Sequence, residues 1–149
     1  MMENMDNDLI KEYFPNENNR EVDLRTYSPL TFAFIGDAVF SLIIRDVVVR
    51  QGNRPPEKLH KLTSKYVCAG AQARIGKTLL DMDVLSDDER DVYRRGRNAN
   101  PNHKAKNATE DDYLEATALE ALCGWLYLRG ENERLLELVS KGMGQTHFA

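Results

Sequence analysis

From Ser28 onward, apolar residues recur at intervals of three and four, the spacing that gathers side chains on one face of a helix. Ser28-Pro29 supplies a start, with Ser as N-cap and Pro at the first helical position. Leu30, Ala33, Phe34, Asp37, Phe40, Ser41 and Ile44 follow in phase, three valines at 47 to 49 extend the run, and Gly52 stops it. This spacing predicts a long, mostly buried helix. Pro55-Pro56 opens another, with Leu59, Leu62 and Tyr66 as its stripe. Small residues from Cys68 to Ala73 lead on to Ile75, Leu79 and Leu80, in a helix either continuous with the last or broken near Gly70. Ser86-Asp87-Asp88-Glu89 spells a capping box for a short helix ending near Arg95, with Gly96 as its stop. Thr109 caps the next, whose apolar positions run from Tyr113 to Tyr127 before Arg129-Gly130 closes it. Leu135, Leu136, Leu138 and Val139 mark a last amphipathic helix ending at Gly142. No stretch alternates as a strand would, so the chain reads as all-α, with five or six helices.

Residues 1–27 lack this periodicity and are rich in Asn, Asp and Glu. They read as an arm with one short helical turn near Asp8–Tyr13. The predicted organisation is an arm at 1–27, one helical domain at 28–142 and a tail at 143–149. A length of 149 residues suits a single domain. The longest apolar run, Phe32 to Ile44, is interrupted by Asp37 and falls short of the roughly 20 residues a membrane span needs. The acidic, polar start does not read as a secretory signal, which points to the cytoplasm and no membrane. Cys68 and Cys123 then read as reduced, buried thiols.

The net charge of −4, from 20 basic and 24 acidic residues, argues against a general nucleic-acid binder. The average conceals one basic segment, however. Arg90, Arg94, Arg95, Arg97, Lys104 and Lys106 face a single acid, Asp91, over seventeen residues, and acids crowd both flanks. Such a segment is either a solvated helix end whose cations favour the helix dipole, or a grip on a localised anion. For a grip on phosphates, Arg94, Arg95, Arg97, Lys104 and Lys106 supply charge and Asn98 a donor. No Phe, Trp or Tyr lies between Arg94 and Asp112, so a duplex read by shape and backbone suits the composition better than a stacked single strand.

Two acids stand out against apolar patterns. Asp37 has Leu30, Ala33, Phe34, Phe40, Ser41 and Ile44 as helical neighbours, and Glu120 has Tyr113, Ala116, Thr117, Cys123, Gly124 and Tyr127. An ionised carboxylate on a core face is costly without a partner. Each acid therefore pairs with a buried cation, or leaves the core with its helix, or the two share a divalent cation such as Mg²⁺. The three histidines, 60, 103 and 147, show no zinc-ligand spacing, and no phosphate-binding glycine loop appears.

Phe34-Ile-Gly-Asp-Ala-Val-Phe40 resembles the first helix motif of the ribonuclease III family, and Leu119-Glu-Ala-Leu-Cys-Gly-Trp-Leu-Tyr127 resembles its second. Between them, Tyr93-Arg-Arg-Gly-Arg-Asn-Ala99 and Lys106-Asn-Ala108 look like the Mini-ribonuclease III branch. The similarity spans about residues 28–140 with order and spacing intact. It implies an all-helical, homodimeric endonuclease for double-stranded RNA, without a separate duplex-binding domain. It further implies Mg²⁺ held at Asp37 and Glu120, 5′-phosphate and 3′-hydroxyl products, and precursor 23S ribosomal RNA as substrate. Two positions depart from the wider family pattern: Ala33 and Thr117 stand where acids usually lie. This favours one Mg²⁺ per site, with any second ion arriving with RNA. Two rival classes are a non-catalytic duplex-RNA-binding module of the same fold and a helical protein-interaction domain.

Overall fold

Seven α-helices and one 3₁₀ turn (Leu24–Thr26) form the architecture in a computed structural model that describes residues 7–15, 23–99 and 109–144. The helices are α1 (Asn7–Tyr13), α2 (Pro29–Arg50), α3 (Pro56–Val67), α4 (Ala69–Met82), α5 (Asp87–Asn98), α6 (Glu110–Leu128) and α7 (Asn132–Met143). The all-α expectation holds, with no strand among the described residues.

Local signals set most helix starts. Ser28 Oγ accepts from the Leu30 N–H at 3.1 Å, ahead of Pro29. Ser86 Oγ accepts from the Glu89 N–H at 3.2 Å while Glu89 Oε1 accepts from the Ser86 N–H at 2.8 Å, completing the capping box. Thr109 Oγ1 takes the Asp112 N–H at 3.0 Å. Each such cap is worth about 1 kcal/mol, enough to define an end but not to hold a domain. Packing around α6 does that.

Helices α2, α4, α5 and α7 all pack against α6, while α3 lies against α2 and α4. Leu119, Leu122 and Leu126 of α6 meet Phe40, Ile44 and Val48 of α2, Leu79 of α4, and Leu135 and Leu138 of α7 in one dry core. Side chains of this size stabilise by roughly 1.5–3 kcal/mol each when fully buried.

Three expectations about these elements change. Gly96 and Gly142 do not end helices but lie inside α5 and α7. A Cβ on Gly96 would stand 2.7 Å from the Ala121 Cβ, and one on Gly142 would stand 2.6 Å from Ile75 Cγ2. Both glycines let helices approach closely. The join between α3 and α4 breaks at Cys68, which is extended (ψ 156°), and its thiol is exposed rather than buried. Cys123 is buried and free, and burial pushes its thiol up to about 12.

The third change concerns the phase of α2. Its buried residues are Phe32, Ala33, Gly36, Val39, Phe40, Ile43, Ile44 and Val48. Phe34 is 83% exposed, and Asp37 is exposed as well. Asp37 is therefore not on the core face, contrary to the expectation from spacing. No helix among the described residues is long and apolar enough to cross a membrane.

Candidate active site

The site begins with two glycines. Gly36 of α2 and Gly124 of α6 meet where the helices cross. A Cβ on Gly36 would overlap the Glu120 carbonyl oxygen and stand 2.8 Å from the Gly124 nitrogen. A Cβ on Gly124 would overlap the Phe32 carbonyl oxygen. The backbones approach this closely only because neither residue has a side chain. Asp37 follows Gly36 directly, and Glu120 lies one turn before Gly124 on α6. The glycine crossing thus delivers both acids to one place.

The Asp37 and Glu120 carboxyls meet within hydrogen-bonding reach. Asp37 opens to solvent, whereas Glu120 is half-buried. Burial pushes the Glu120 carboxyl up to about 8, Asp37 adds to the rise, and the Gln72 carboxamide opposes it. When protonated, Glu120 donates to an Asp37 carboxyl oxygen. Neither acid takes part in a described ion pair with Lys or Arg. The pairing with a buried cation that either acid could have had is not seen among those pairs.

Gln72 of α4 is the third polar group here, 3% exposed. Its Nε2 donates to the Val67 carbonyl at 2.9 Å, and its Oε1 is buried without a partner. Two carboxyls form a hard oxygen donor pair, the kind a divalent cation such as Mg²⁺ takes. No group of three or more His, Cys, Asp or Glu converges among the described residues. The pair therefore fits a cation that keeps several waters better than one needing a full protein cage. Ala33 is buried, and the Thr117 hydroxyl donates to the Tyr113 carbonyl at 3.0 Å, so neither offers a free ligand.

The ribonuclease III domain pattern matches residues 30–131, a span that contains both crossing helices and the acid on each. The chain belongs to the ribonuclease III family. It is 51% identical over 112 residues to a Mini-ribonuclease 3 of Thermoanaerobacter sp., covering 75% of this chain and 78% of that one. It is 38% identical over 125 residues to a Mini-ribonuclease 3 of Staphylococcus aureus, covering 84% and 93%. A crystal structure of a Fusobacterium nucleatum protein shares the fold with a TM-score of 0.70 at 32% identity, over 80% of this chain and 93% of that one. The protein is a ribonuclease III-type endoribonuclease.

The basic segment of this family member is less free than its sequence suggests. Arg94 Nη2 pairs with Asp91 Oδ1 at 2.6 Å on the surface, and Arg90 pairs with Asp83. Arg97 is committed twice, to Glu115 Oε1 at 2.7 Å and to Asp111 Oδ1 at 2.7 Å. Lys77 joins the same Asp111 at 2.7 Å, and the Tyr93 hydroxyl donates to Glu115. This network ties the end of α5 to the start of α6. Arg95 enters none of the described ion pairs and lines a cavity of about 590 Å³ with Asp88 and Asp91. Asn98 is exposed at the last turn of α5. Lys104 and Lys106 lie outside the described residues.

Sequence reasoning passed over Gln72 and Glu115. Both carried a signal. Gln72 shares a helical face with Ile75, Gly76 and Leu79, and Glu115 shares one with Ala118, Leu119 and Leu122. Glu115 is only 6% exposed, more buried than either acid that drew attention.

Proposed function

We propose that this endoribonuclease cleaves double-stranded RNA, with Asp37 and Glu120 holding Mg²⁺ beside the scissile phosphodiester, and that its natural substrate is precursor 23S ribosomal RNA. The observation that carries the reading is the meeting of two carboxyls, one open to solvent and one half-buried, at a crossing of two helices. A bound divalent cation supplies Lewis-acid activation of water and neutralises charge on the phosphoryl oxygens. Asp37, facing solvent, is the carboxyl that an incoming phosphodiester can approach. Glu120, held by packing on α6, fixes the depth of the site. Water attacks phosphorus in line with the 3′ oxygen and gives up a proton to solvent, the P–O3′ bond breaks, and the departing oxygen takes a proton from solvent. The products are a 5′-phosphate and a 3′-hydroxyl. The ribosomal substrate rests on the likeness to the Mini-ribonuclease III branch.

A gel assay tests the reading. Duplex RNA is expected to be cut in Mg²⁺ and left whole in chelator, with single-stranded RNA of the same sequence resistant. Duplex binding without cleavage would support the non-catalytic module instead. No duplex affinity even at low salt would point to the protein-interaction domain.

Arg94, Arg95 and Asn98, with Lys104 and Lys106, are proposed to contact RNA phosphates, while Arg97 holds the segment to α6 through Glu115 and Asp111. Replacing Arg94 and Arg95 with Ala is expected to lower the slope of log affinity against log salt by roughly one per lost phosphate contact. A filter-binding titration over salt measures it, and an unchanged slope would remove these residues from the interface.

A homodimer completes the proposal. Phe34, 83% exposed, and Leu30, 38% exposed, project from α2 close to Asp37. An aromatic this exposed is an apolar contact suited to a second copy across a two-fold axis, which would set two sites on one duplex. Phe34→Asp is expected to yield a single-chain mass by light scattering where the unmodified protein shows two. Dimers that persist at low micromolar concentration would move the interface elsewhere.

A further inference from the structure

Gln72 is an expensive residue for its position. It sits in the first turn of α4 between Ala71 and Ala73, is 3% exposed, and leaves Oε1 unmet. An unsatisfied buried polar atom is costly, and an apolar side chain of similar volume would avoid that cost. Packing alone therefore does not account for an amide there.

Its two engagements do. Nε2 donates to the carbonyl of Val67, the last residue of α3, and so spans the one-residue break at Cys68. The same carboxamide acts on the Glu120 carboxyl of α6, where it alone favours the charged form against burial and Asp37. An amide nitrogen carries two N–H groups, so one can be fixed on Val67 while the other points at Glu120. The anchor is backbone, which removes rotational freedom from the group facing Glu120. Around Glu120 the alternatives are spent. Thr117 is turned back onto the Tyr113 carbonyl, and Ala33 has no polar atom.

We infer that Gln72 is a positioning residue: tethered to Val67, its carboxamide holds the Glu120 carboxylate in the orientation that lets it share a divalent cation with Asp37. The inference rests on the cation site proposed above. Gln72 replaces charge with geometry. A site with only two carboxylates needs each oriented well, since small misplacements of metal-holding groups are costly, and contacts behind a ligand commonly change metal affinity 10–100-fold.

The experiment reads Mn²⁺ binding to the full chain without RNA, by the loss of free-ion signal in electron paramagnetic resonance. Cleavage kinetics on one duplex accompany it. Gln72→Met keeps the volume and removes both polar atoms. Gln72→Asn keeps an amide but falls a methylene short of Glu120, and serves also if the methionine variant does not fold. Both are expected to weaken Mn²⁺ binding about tenfold or more. Both should lower kcat by a similar factor in sub-saturating metal while leaving KM for RNA unchanged. Raising Mn²⁺ should restore kcat, which a collapsed fold would not allow. Glu120→Gln is the control for the cation site. If that control loses Mn²⁺ while both Gln72 variants bind it as the unmodified protein does, Gln72 is a filler and the inference fails alone. If Glu120→Gln itself binds Mn²⁺ unchanged, the cation site fails and the inference falls with it.

Discussion

Asp37→Asn and Glu120→Gln are each expected to slow cleavage of duplex RNA by roughly a thousandfold or more while the helices persist. A thousandfold is about 4 kcal/mol of transition-state stabilisation, the scale on which a preorganised electrostatic contact acts. Each variant removes one of two charges that the proposed cation would see. No cationic side chain pairs with either acid among the described ion pairs, so neither loss leaves an orphaned buried charge. Circular dichroism and light scattering should therefore match the unmodified protein. Wild-type cleavage rates in either purified variant would overturn the assignment of these residues.

Glu120 adds a pH signature that needs no substrate. Its carboxyl is raised from 4.5 to about 8 by burial and by Asp37. A raised folded-state value means that the folded protein holds a proton the unfolded chain releases. The resulting stability is fully present below about 4.5 and is lost as pH rises through about 8. Metal-free protein is thus expected to melt at a lower temperature at pH 9 than at pH 6, and Glu120→Gln should flatten that difference. A divalent cation that binds the ionised pair must displace the same proton, so its affinity should climb over the same interval. Melting curves in chelator at the two pH values provide the check, and an unchanged slope in the glutamine variant would place the titration elsewhere.

What the residues disclosed in advance was chiefly local. Ser28, Ser86 and Thr109 each cap the helix they were expected to cap, because capping needs only residues within three positions. The phase of α2 was not local. This helix is apolar almost all round, so its periodicity does not select a core face, and contact with α6 decides it. Asp37 consequently attracted attention for a burial it lacks, while the deeply buried Glu115 went unremarked. The reach between Asp37 and Glu120, 83 positions apart, follows from the crossing of α2 and α6 and from no pattern within either segment. Gly96 and Gly142 mislead for the same reason. Beside a chain end a glycine signals a stop, but here Ala121 and Ile75 of neighbouring helices require its missing side chain.

Gly36→Ala and Gly124→Ala carry the second large effect, and they test the crossing itself. In an isolated helix the change from glycine to alanine is favourable by about 1 kcal/mol. Here each new methyl would overlap a backbone carbonyl oxygen, that of Glu120 or of Phe32, and backbone cannot swing aside as a flexible side chain can. The helices must separate, which loosens the dry contact between α2 and α6 and draws Asp37 away from Glu120. Each variant is expected to lose about 3 kcal/mol or more in denaturant unfolding, at the upper end of what overpacking costs. Cleavage should fall even at temperatures where the variant remains folded. Gly70→Ala supplies the contrast within the same molecule. A Cβ there meets only Arg74 Nη1 at 3.6 Å and Asp112 Oδ2 at 3.8 Å, ordinary contact distances, so the helix preference for alanine is expected to win and stability to hold or rise. If Gly124→Ala behaved as Gly70→Ala does, the backbones would have room to spare. The meeting of the two carboxyls would then need some cause other than the pair of glycines beneath them.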